Sequence, residues 1–160
     1  MNTKEKSPVE VQLRVINTIF ITILSSMLLF FGVVMFFIQK SNYSQNIELD
    51  KIFTFFVPLF GLLTMFLSKI FYRQIITKAK GSNDLQKKIA QYRTSKITVW
   101  AVVEGACLLS LIAAMLTSNY LYIVVFVFLF GYMFLIKPSK ESLIHDMRLN
   151  SEESDLILKR

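Results

Sequence analysis

Glu104 is the residue whose type and position most need a chemical explanation. It lies close to the middle of ITVWAVVEGACLLSLIAAML, residues 97–116, an otherwise apolar run of 20 residues. At about 1.5 Å per residue, a helix of that length matches the hydrocarbon core of a bilayer, so Glu104 reads as an acid in lipid. A charged side chain at that depth costs on the order of 2.5 to 3.5 kcal/mol on insertion scales. Such a carboxyl fastens helices or subunits by hydrogen bonding, handles protons or ions, or holds a cationic ligand or lipid. Fastening is the simplest of the three.

Its own helix offers Glu104 little, since Trp100 and Leu108 flank it and Cys107 is a weak donor. The best internal partners lie on the first apolar run. There Arg14, Thr18, Thr22 and Ser25 fall at i, i+4, i+8 and i+11 as one polar stripe, with Asn17 and Ser26 beside it. Tyr132 adds a hydroxyl at comparable depth. The expected intramembrane polar site therefore joins Glu104 with Thr18, Thr22, Ser25 and Tyr132. Around Glu104, Ala101 and Gly105 are four apart, and so are Ala106, Ser110 and Ala114. This spacing of small residues lets helix backbones approach closely, and two such faces make the third run the expected central helix.

These residues need spanning helices to hold them. A chain of 160 residues that is 54% apolar and carries 15 Phe is too greasy for a soluble domain. Four spans are expected, over residues 15–38, 52–72, 97–116 and 120–136. The second requires Lys69 to snorkel from its end. The first exceeds the about 7 to 15 residues of a signal-peptide core and is expected to remain as an uncleaved span. Only Ser118 and Asn119 separate the last two, which predicts a tight antiparallel hairpin with Asn119 in a left-handed or capping position. The expected fold class is all-α, a polytopic membrane protein with a four-helix transmembrane domain over residues 1–136. The middle helices should overhang as a cytoplasmic helical hairpin, broken at Gly81 and restarted by Ser82 and Asp84. Residues 137–160 form a cytoplasmic tail of short amphipathic helices capped by Ser139 and Ser151.

Orientation follows from the basic residues in short loops. Of the 18 Lys and Arg, only Lys40 and Lys51 fall on one side of the expected bundle. The other side holds the hairpin cations Lys69, Arg73, Lys78, Lys80, Lys87, Lys88, Arg93 and Lys96, opposed there by Asp84 alone. That excess equals the formal +7 of the whole chain. Both termini should be cytoplasmic, with anionic headgroups of the bilayer as partners of the basic hairpin.

Several chemistries find no residues to carry them. The single cysteine, Cys107, excludes an internal disulfide or a dithiol enzyme. His145 is the only histidine and has no ligating neighbour, so no metal is expected. The spans hold no axial ligands for haem, and the chain has no phosphate loop and no G-x-S-x-G. No cofactor and no catalysis are expected. Nucleic acid is excluded by short basic faces with only Tyr72 and Tyr92 to stack. Asn42, Tyr43 and Ser44 match a glycosylation tripeptide, a pattern that arises by chance.

Tyr92 and Arg93, WAVVEGACL (residues 100–108), LTSNYL (116–121) and KPSKESLIHDMRLNSEE (137–153) together resemble a family of small four-span inner-membrane proteins of Bacteroidota. The shared pattern is an arginine ahead of an E-G pair, a T-G-N-like turn and a P-[ST]-K-[ED] start to the tail. The resemblance covers about residues 92–153 and implies an inner-membrane location without an activity. V-type proteolipids look similar in length, span number and a glutamate among small residues, but their glycine-rich packing helices are missing here. Small multidrug-resistance transporters also use one intramembrane glutamate, in the first span, where this chain has only hydroxyls and Asn17. The expected role is a non-catalytic accessory or assembly subunit, partnered by other membrane proteins or by itself. The alternative is a small proton-coupled transporter or ion-conducting protein using Glu104.

Overall fold

A long apolar segment becomes helical in lipid because a helix satisfies every backbone N–H and C=O within itself. The computed structural model describes residues 8–40, 47–79 and 85–158, and no strand occurs among them. Their helices are α1 (Pro8–Lys40), α2 (Ile47–Ala79), α3 (Leu85–Thr117), α4 (Leu121–Leu135), α5 (Lys140–Met147) and α6 (Ser151–Leu158). The first three have 33 residues each, about 50 Å at 1.5 Å per residue. All three are long and apolar enough to cross a membrane. α4 has only 15 residues, and the chain bends by 72° from it into α5. Gly81, Ser82 and Asp84, Lys80 with the side chain of Lys78, and the tripeptide at Asn42, Tyr43 and Ser44 lie outside the described residues.

α3 is the axis of the assembly and touches α1, α2, α4 and α5. It buries residues on most of its circumference, among them Trp100, Val103, Cys107, Leu111 and Ala114. α1 buries a single stripe, Ile16, Phe20, Met27, Val34 and Ile38, spaced by fours and sevens as a helix laid along a neighbour requires. α4 buries Tyr122, Phe126, Leu129 and Met133 at the same kind of spacing. The outward faces are apolar too: Phe55 and Leu135 are 81% exposed, and Leu29 is 70% exposed. Water would not tolerate a surface of that kind, whereas lipid tails do.

Polar ties close both ends of the helix pairs. Between α3 and α4 the left-handed residue is Ser118 (φ 53°). Asn119 takes the capping role, its Oδ1 accepting from the Leu121 N–H at 2.9 Å. At the other end of α4, Trp100 Nε1 donates to the Ile136 carbonyl at 3.3 Å, satisfying a backbone acceptor where the helix stops before Pro138. Ser139 caps α5 by accepting from the Ser142 N–H at 3.0 Å. The second tail cap differs from expectation. Asn150 rather than Ser151 opens α6, its Oδ1 accepting from the Glu153 N–H while Glu153 Oε2 accepts from the Asn150 N–H. That reciprocal pair is a capping box, and it outcompetes Ser151 because one residue earlier puts the acid at the third helical position.

Candidate functional site

Glu104 projects from α3 toward α1, half-buried, and Oε1 receives Ser26 Oγ at 3.1 Å. The same hydroxyl lies 2.8 Å from the Ile23 carbonyl. Ser26 has one proton for two acceptors. Among the described residues Glu104 has no other hydrogen-bond partner, so they satisfy its carboxyl at best in part.

The expected site changes in membership. Thr18, Thr22 and Ser25 are exposed, and Thr22 Oγ1 spends its donor on the Thr18 carbonyl at 2.9 Å. The stripe is rotated away from Glu104, and Ser26, adjacent to it in sequence, makes the contact. Tyr132 serves a different pair of helices: its hydroxyl lies 3.1 Å from Ser68 Oγ, linking α4 to α2. The two small-residue faces also part company. Ala106, Ser110 and Ala114 are buried in the bundle, Ser110 donating to the Cys107 carbonyl at 2.7 Å. Ala101 and Gly105 face outward, and a Cβ added at Gly105 would meet nothing within 4 Å. Ala101, Gly105, Glu104 and Ser26 thus border one open seam between α1 and α3, while Thr18, Thr22 and Ser25 lie on the face of α1 opposite its buried stripe.

The basic end is not one uniform surface. Lys69, Arg73 and Lys87 are exposed. Lys88 is buried and pairs with Glu153 of α6 at 3.0 Å. Arg93 donates to Gln12 Oε1 at 3.1 Å, tying α3 to α1. Lys96 is buried with its Nζ 4.8 Å from the ring centre of Tyr72 and 5.4 Å from that of Tyr92. Beside it Asp146 accepts hydrogen bonds from Tyr72 and from Ser142, the latter at 2.8 Å.

Two acids of the tail are tuned by these contacts. Burial works to raise the Asp146 carboxyl, but hydrogen bonds from Tyr72, Ser142 and His145 and the charge of Lys96 outweigh it and hold it below its ordinary value. Glu153 follows the same balance, with partial burial opposed by the Lys88 hydrogen bond, the Asn150 N–H and the Lys88 charge, and its pKa is also lowered.

Sequence reasoning missed a third cluster, at the opposite end. Asp50 on α2 accepts from Asn119 Nδ2 at 3.0 and 3.2 Å and from the Tyr122 hydroxyl at 2.7 Å. The available signal was positional: Asp50 and Asn119 both sit at helix ends on the side of the bundle with few charges. Among the described residues no group of three His, Cys, Asp or Glu could hold a metal, and the His145 side chain is 92% exposed. Comparison with protein-family models, curated proteins and solved structures finds no match to the chain.

Proposed function

We propose that the chain is a four-span inner-membrane protein, with both termini cytoplasmic, that works without catalysis as an assembly subunit by docking a helix of another membrane protein along the α1–α3 seam. The under-satisfied carboxyl of Glu104 carries this reading. In lipid no water completes its hydrogen bonding, so a donor on an incoming helix stabilises it. Ala101 and Gly105 beside it let that helix approach closely, and Ser26 is the α1 hydroxyl at the same seam. The fourth span is α4, and the orientation rests on the crowding of Lys and Arg at the α2–α3 end, which faces the cytoplasm and its anionic headgroups.

Purification from native membranes in mild detergent tests the proposal. A membrane protein recovered in fixed stoichiometry with the chain, and lost on Glu104→Leu, is the expected result. A homo-oligomer recovered alone that carries Glu104-dependent proton flux in liposomes would overturn it in favour of a proton-coupled transporter.

A further inference from the structure

α2, α3, α4 and α5 leave a cavity of about 460 Å³ at the basic end of the bundle. Three cations line it. Lys96 is only 6% exposed, yet among the described residues its Nζ makes no hydrogen bond or ion pair and has only the rings of Tyr72 and Tyr92 against it. An ammonium has three N–H donors, and the faces of Tyr72 and Tyr92 attract its charge without accepting them as an anionic oxygen would. Those donors are free for whatever occupies the cavity. Lys69 and Arg73 are exposed and enter no ion pair among the described residues. Asp146 is the acid of the lining, and its carboxylate already accepts from Tyr72 and Ser142. The balance is three positive charges, none of them in an ion pair among the described residues, against one carboxylate whose charge Lys96 faces.

The depth and the remaining walls specify more than a generic anion site. Lys69 follows the apolar run of α2 and Lys96 immediately precedes that of α3, which puts the cations at headgroup level once those runs are in lipid. Below them Val99, Leu135 and Ile136 form an apolar wall, with Leu135 81% exposed on its outer side. A charged rim over an apolar wall suits an amphiphile.

We propose that this cavity binds the headgroup of one anionic phospholipid, its phosphate among Lys69, Arg73 and Lys96 and an acyl chain along Val99, Leu135 and Ile136. The site requires the basic ends of α2 and α3 to lie at the membrane surface and owes nothing to the Glu104 seam, so either proposal can fail alone.

Native mass spectrometry of the full chain in mild detergent, titrated separately with phosphatidylglycerol and phosphatidylcholine, tests it. One phosphatidylglycerol should be retained in preference to phosphatidylcholine. Arg73→Gln, a change at an exposed position, should weaken that retention about fivefold, the equivalent of about 1 kcal/mol for a cation at an anionic surface. Lys96→Met should weaken it further, and Lys87→Gln, outside the cavity, should leave it unchanged. Equal retention of both lipids, or Arg73→Gln behaving as Lys87→Gln does, would overturn the proposal. Displacement of the lipid by an equal concentration of inorganic phosphate would reassign the cavity to free phosphate and overturn the lipid assignment.

Discussion

Lys88 of α3 and Glu153 of α6 meet at 3.0 Å with both side chains largely shielded from solvent, 65 positions apart in the chain. Glu153 also completes the capping box that starts α6. One carboxylate thus both initiates the last helix and ties it to the central one. Glu153→Ala should release α6 and leave Lys88 with an uncompensated charge, at a cost of about 1 to 3 kcal/mol. Hydrogen exchange should show faster amide exchange in residues 151–158, with α1 unchanged. Unaltered protection there would mean that α6 is held by its apolar contacts alone.

Acid should undo the tail before it touches the bundle. Asp146 and Glu153 both have folded-state values below the ordinary ones, so their contribution is complete above about pH 4, where the unfolded carboxyls titrate, and is lost as pH falls through the lower folded values. Proteolysis with an acid-active protease across that range should cut first within residues 139–158. A tail that loosens on raising the pH from 5 to 8, roughly the range of carboxylate-independent titration, would contradict this assignment.

The Asp50 cluster makes an independent claim about the other end. Asp50→Ala removes the acceptor shared by Asn119 and Tyr122 and should destabilise the protein by about 1 to 3 kcal/mol. Tyr122→Phe should cost about 1 kcal/mol, because Asn119 still reaches the carboxylate. Thermal unfolding in one detergent would rank the two, and the reverse order would show that the tyrosine rather than the acid organises this end.

Gly105 separates folding from association. Open space beyond its Cα predicts that Gly105→Leu changes the stability of the isolated chain by less than about 0.5 kcal/mol. Ala106→Leu, one residue on and buried, should cost about 1 to 3 kcal/mol through overpacking. If α1 and α3 receive a partner helix, Gly105→Leu should nevertheless abolish copurification of that partner. Loss of thermal stability in Gly105→Leu would place the residue inside the bundle instead.

How much was legible beforehand depended on which force set each feature. The long helices follow from apolar length, and α4 falls within one residue of its expected bounds at each end, residues 120–136 against Leu121–Leu135. The cap at Ser139 was legible because it is local chemistry. Rotation of α1 was not. Both of its faces are apolar, lipid supplies no hydrophobic force to choose between them, and the choice fell to packing of Phe20 on Trp100 at 5.0 Å and of Phe31 on Phe126 at 5.2 Å. A turn of about 100° about its axis decides whether Ser25 or Ser26 reaches Glu104. The tie between Tyr72 and Asp146 was equally hidden, because it joins residues 74 positions apart through a 72° bend that no local pattern announces.

As the proposed fourth span, α4 would act on the bilayer itself through its shortness. Fifteen residues reach about 22 Å, against a hydrocarbon core of about 30 Å. If α4 is the fourth span, as proposed, the leaflets beside it would pinch inward while those beside α1 would not, and the protein would sit in a lopsided dimple. Each ångström of mismatch costs a fraction of a kcal/mol, and that cost shrinks in thin or short-chain membranes and when two dimples merge. The protein would therefore sense thickness: in a bilayer of graded thickness, it should collect where the membrane is thinnest.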